Sequence, residues 1–124
     1  MSEKINVLLV GWNPDVVDYS KWPSLTAETL RAGLEGDRDR MNALGYEAKL
    51  GLIDDADTAS ASVLSLLAEK TYDCVLIGAG VRTVDDYILL FETLINTVHQ
   101  HAPTAKICFN TGPFDSVDAV QRWV

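Results

Sequence analysis

Two short stretches carry residue types with which a main chain meets a ligand. Gly78-Ala79-Gly80-Val81-Arg82 follows the apolar run Cys74-Val75-Leu76-Ile77, and Asn110-Thr111-Gly112-Pro113 follows Ile107-Cys108-Phe109. Glycine at a strand end lets the backbone approach a bound molecule closely, and a helix starting just beyond it presents partial positive charge. Arg82, two residues past Gly80, can grip a carboxylate or phosphate through paired hydrogen bonds. The second stretch adds an amide, a hydroxyl and backbone N–H groups expected to be free. A third turn, Gly11-Trp12-Asn13-Pro14 after Val7-Leu8-Leu9-Val10, supplies an aromatic wall in Trp12 and another amide in Asn13. The expected ligand-binding residues are therefore Trp12, Asn13, Gly78, Gly80, Arg82, Asn110, Thr111 and Gly112, and the expected guest is a small anionic or nucleotide-like molecule.

Each of these features also has a plainer reading. Gly78 and Gly80 equally shape a tight turn while Arg82 pairs with Asp85 or Asp86, and Asn, Gly and Pro at 110–113 are ordinary turn formers. Trp12 and Trp22 can simply fill the top of the sheet. The lone Gly-x-Gly lacks the third glycine of a dinucleotide fingerprint and follows the third strand rather than the first, so no NAD site is expected. Asp54, Asp55 and Asp57 lack the spaced ligands and distal Glu of a calcium loop and suit a helix start, where acids match the dipole. Two cysteines and two histidines without metal-type spacing give no metal site, and no cofactor is specified. Asp15 and Asp18 stand closer to the expected crevice and are the candidates for acid–base work, alongside Asn110. His99 and His101 close a helix at the far end, and no Gly-x-Ser-x-Gly elbow supports a hydrolase.

Composition sets the frame for these motifs. The 124 residues, 48% apolar and 23% charged, are enough for a single α/β domain with its own core. Ten basic against eighteen acidic residues leave a net charge of −8, the wrong balance for nucleic acid or an anionic membrane. No apolar run reaches the roughly 20 residues that span a bilayer. Met1-Ser2-Glu3-Lys4 is polar and leads straight into a strand without signal-peptide features, so a cytoplasmic protein is expected. Cys74 and Cys108 fall inside apolar strands and read as reduced core thiols.

The elements alternate. Strands are expected at 5–10, 46–53, 73–77 and 106–109, the second more polar, interrupted by Gly51 and hence at an edge. Between the first two lies a long aromatic connection with Trp12, Tyr19 and Trp22. A helix follows from a Thr26 cap to about Leu44, with Leu30, Leu34, Met41 and Leu44 on its buried side, a possible kink at Gly33 and Gly36, and Gly45 as its stop. A second helix runs from the acidic cluster to about Lys70. The third opens on a Thr83/Asp86 capping box and buries Val84, Tyr87, Ile88, Phe91, Leu94, Ile95 and Val98, and a short last helix covers 116–123 with Asp115 as its cap. This order implies a three-layer α/β/α sandwich around a doubly wound parallel sheet, strand order 2-1-3-4. The apolar fourth strand then sits at an open edge, expected to be covered by a second copy in a homodimer or by residues 12–25.

Asn6 to Pro14, Leu44 to Ala48 and Glu69 to Gly78 resemble the first strand and turn, the approach to the second strand and the third strand of bacterial response-regulator receiver domains. The chain is also similar to small uncharacterised bacterial proteins of the same flavodoxin-like layout. The receiver resemblance covers about residues 5–112, with an insertion at 15–25, and implies a doubly wound fold. It does not carry over the chemistry. The family's acidic pair falls on Gly11 and Trp12, its phosphoacceptor aspartate on Gly78, and only the switch hydroxyl finds a match, in Thr111. Phosphotransfer is therefore not expected. The leading expectation is a small-molecule-binding module. The alternatives are a degenerate receiver-like protein–protein interaction domain and an enzyme of unspecified reaction at the strand carboxyl ends.

Overall fold

Val7, Leu8, Leu9 and Val10 are all buried, which an extended chain achieves only with apolar layers on both of its faces. Alternate residues serve the two layers. Leu8 and Val10 join Val75 and Ile77 against one set of helices, while Val7 and Leu9 join Cys74, Leu76 and Cys108 against the other. The computed structural model describes residues 4–112 and 114–124; Pro113, which closes the second turn motif, lies outside the described residues, as do Met1, Ser2 and Glu3.

Strands β1 (Asn6–Trp12), β2 (Glu47–Ile53), β3 (Cys74–Ile77) and β4 (Lys106–Phe109) form one parallel sheet in the order β2-β1-β3-β4, the expected flavodoxin-like layout. Helices α1 (Ala27–Ala43) and α5 (Ser116–Gln121) close one face through Met41, Ala119 and Val120. On the other face lie α2 (Ala56–Glu69), the four-residue α3 (Ala79–Arg82) and α4 (Ile88–His101), packed through Val63, Val81 and Leu94. Burying each such Val or Leu side chain stabilises the fold by about 1.5–3 kcal/mol before entropy is counted. Among the described residues no helix is long and apolar enough to cross a membrane.

Helix α1 begins as expected on Thr26, whose hydroxyl accepts from Thr29 N–H while the Thr29 hydroxyl accepts from Thr26 N–H, a reciprocal box. It runs unbroken through Gly33 and Gly36. Gly45 ends it at φ +100°, a conformation that disfavours a side chain. Leu44, expected on the buried side, is exposed because it lies past the last helical turn.

The larger departure follows β3. The Thr83/Asp86 capping box does not form. Gly78 instead opens α3 directly, the Thr83 hydroxyl donates back to Ala79 O at 2.6 Å, and α4 starts only at Ile88 after a 3-10 turn over Asp85–Tyr87. Ile88, at this later start, is exposed rather than buried. Residues 13–25 do not cover the β4 edge either. They form two 3-10 turns, Pro14–Val16 and Tyr19–Lys21, over the carboxyl ends of β1 and β3, tied down by Arg31 to Asp15 at 2.9 Å and Lys21 to Asp86 at 3.4 Å.

Candidate functional site

At the carboxyl ends of β1, β3 and β4, on the side of α1, lies a cavity of about 230 Å³. Its floor is backbone and small side chains: Gly11 from β1, Gly78 to Val81 from the start of α3, and Asn110 to Gly112 after β4. Trp12 and Trp22 form aromatic walls, joined by Val17 and Leu25 from the 13–25 strap and by Leu30 and Leu34 from α1. The sheet ends converge there because parallel strands deliver all their carboxyl-terminal turns to one rim. Gly78 is tightly seated at this point: a Cβ on it would lie 3.3 Å from Val10 O, closer than a side chain ordinarily comes.

Of the expected site residues, the fold brings Trp12, Gly78, Gly80, Asn110, Thr111 and Gly112 to the cavity, whereas Asn13 and Arg82 are not among its lining. Asn13 turns outward, its amide donating to Asp54 at 2.9 Å and its side-chain oxygen accepting from Asp15 N–H at 3.0 Å. Arg82 pairs with neither Asp85 nor Asp86. Its Nη2 donates to Asn110 O at 2.9 Å, its guanidinium sits 5.8 Å from the Phe109 ring centre, and its buried Nε has no partner among the described residues. Asp15 and Asp18 do not line the cavity with Asn110. Asp18 caps its own turn, and hydrogen bonds from the side chain and backbone of Ser20 hold its carboxyl below the ordinary value.

The backbone N–H groups expected to be free after β4 are engaged. Thr111 N–H donates to Asp115 at 3.0 Å, Gly112 N–H donates to the same carboxylate at 3.2 Å, and the Thr111 hydroxyl donates to it at 2.7 Å. Asp115 therefore does not cap α5 with its side chain as expected; it turns back into the nest of donors. Burial pushes its carboxyl up, but the hydrogen bonds from Thr111 and Gly112 outweigh burial and hold it below the ordinary value. At the N-terminus of α3, Asn110 Oδ1 from the same loop accepts from Ala79 N–H at 2.8 Å.

Sequence reading missed the polar chain beneath this floor. Asn110 Nδ2 donates to Ser116 Oγ at 2.9 Å, and Ser116 Oγ donates to Asp37 at 2.6 Å. Asp37 is 2% exposed and also pairs with Arg40. Burial pushes the Asp37 carboxyl up, against the opposing pull of Ser116 and Arg40. The signal was present in the heptad-like stripe Leu30, Leu34, Asp37, Met41: one acid interrupts an apolar helix face, and an acid held there needs partners.

What remains inside the cavity is apolar surface with few polar atoms. The Trp12 indole N–H is committed to Gly80 O at 3.2 Å, and the Thr83 and Thr111 hydroxyl hydrogens are committed to Ala79 O and Asp115. No charged side chain among the described residues lines it. No family model and no curated protein matches the chain.

Proposed function

We propose that this chain is a small-molecule-binding module whose ligand occupies the cavity above Gly11 and Gly78. The observation that carries the reading is the cavity itself, an aromatic and aliphatic recess at the rim where open α/β sheets take their ligands. Its volume of about 230 Å³ lies below the ~300–1,000 Å³ range of drug-sized pockets, which suits a small guest. The three positions that the receiver resemblance pairs with acids are Gly11, Trp12 and Gly78, and all three line the recess, so the reading needs no phosphoryl chemistry.

Gly11→Leu tests it, because a Cβ at Gly11 meets nothing within 4 Å and the added side chain grows into the recess. A fragment screen followed by melting temperature should give compounds that stabilise the native chain and have no effect on a folded Gly11→Leu variant. Hits that act equally on both, or an absence of hits, would refute the assignment.

A second reading, self-association, is favoured by the exposure of two large aromatic side chains, Phe114 and Trp123, 83% and 56%. Sedimentation of the native chain against Phe114→Ser/Trp123→Ser tests it: a dimer in the first and a monomer in the second is the expected result.

A further inference from the structure

We infer that the ligand of this cavity is an uncharged, ring-sized molecule with an apolar body and a polar end that donates a hydrogen bond to the Thr83 or Thr111 hydroxyl oxygen. The inference rests on the binding reading above and adds the chemical class. It follows from which polar atoms are still available. Two of the places at which an anion would be gripped already hold the chain's own groups and the third lies elsewhere: Asn110 Oδ1 takes Ala79 N–H at the start of α3, the Asp115 carboxylate takes the Thr111 and Gly112 N–H groups, and Arg82, which donates to Asn110 O, does not line the cavity. An incoming anion would meet the Asp115 charge as well as the net charge of −8.

A buried cation would meet only the faces of Trp12 and Trp22. Leu25, Leu30, Leu34 and Val17 offer it nothing in exchange for its hydration, and no carboxylate among the described residues lines the walls. Among the lining side chains, the two threonine hydroxyls are the exposed polar groups. Each has given its hydrogen to an internal acceptor, so each presents only lone pairs. Both threonines are exposed residues at the margin of the cavity, which places the ligand's donor outward and its apolar body over Gly11 and Gly78.

Four probes of one size and different ends separate the possibilities: 4-ethylphenol, 4-ethylanisole, 4-ethylbenzoate and 4-ethylbenzylammonium, titrated into the full chain and followed by NMR shifts of the Gly11, Gly80 and Gly112 amides. The phenol should bind most tightly, roughly three- to tenfold better than the methyl ether, which lacks the donor. Both charged probes should bind at least about tenfold more weakly than the phenol. Thr83→Val or Thr111→Val should bring phenol and ether to equal affinity. The assignment is overturned if a charged probe binds as well as the phenol, if the ether matches it in the native chain, or if neither valine variant narrows the gap. Should all four fail while other fragments enter the cavity, the ligand class falls and the binding reading stands; should nothing enter, both fall.

Discussion

The Ser116 hydroxyl lies 2.6 Å from the Asp37 carboxylate, and this contact sets the direction of the hydrogen bonds between α1 and the cavity floor. An ionised carboxylate can only accept, so Ser116 must donate to it and its oxygen is left to accept from Asn110 Nδ2. The amide is thereby turned with Oδ1 toward Ala79 N–H. A side chain on the helix that carries Leu30 and Leu34 thus orients the residue that joins β4 to α3.

Asp37 should give the molecule a pH signature. Its folded value is raised by burial above the ordinary 3.8, so the folded state holds the proton more tightly than the unfolded chain. Its contribution to stability is fully present below about 3.8 and is lost as pH rises through the raised folded value. The stability of the native chain minus that of Asp37→Asn, from urea unfolding at a series of pH values, should therefore fall with rising pH. A difference that grows instead would contradict the burial argument.

Asp115 should behave in the opposite sense. Its folded value is depressed, so its contribution is present above the ordinary carboxylate value and disappears as pH falls through the folded one. Asp115→Ala removes the acceptor of Thr111 and Gly112 and should cost about 1–2 kcal/mol at neutral pH. The loss should be accompanied by faster amide hydrogen exchange at both residues. Unchanged exchange would show that water replaces the carboxylate without consequence.

Gly78→Ala places a methyl group 3.3 Å from Val10 O, where only backbone can give way. A cost of roughly 1–3 kcal/mol is expected in equilibrium unfolding. Gly80→Ala, whose Cβ would meet Trp12 at 3.5 Å in ordinary contact, should cost clearly less. Equal costs would mean that the turn after β3 is more yielding than its packing indicates.

The thiols of Cys74 and Cys108 lie 3.5 Å apart in the core. Their hydrogen bond and burial push the Cys74 thiol well above its ordinary value. They are not opposite each other, since Leu76 pairs with Cys108 and Cys74 with Lys106, so the two residues stand diagonally across the β3–β4 pair. A thiol reagent should label neither in the native chain and both in denaturant. Rapid labelling of either one under native conditions would disprove this.

The sheet was legible because its cause is local. Continuous apolar runs bounded by glycine, such as Val7–Val10 and Cys74–Ile77, have few alternatives to a strand buried on both faces. The rim was legible as a place, through Gly78, Gly80 and Asn110, but not in its polarity. Whether Thr111 N–H is free depends on Asp115, four residues on, and whether Arg82 is free depends on the position of Asn110 O; both are settled by tertiary placement. The false capping box at Thr83 has the same origin: the residue types suit a helix start, but the turn after β3 had already become helical at Ala79.

The two sides of the recess differ in how they are built. Trp22, Val17 and Leu25 belong to an irregular connection, while Gly11, Gly78 and Leu34 sit on or beside regular elements of the scaffold. Under the proposed reading, residue exchanges confined to the connection would retune which guests fit while leaving the packing of the sheet itself in place.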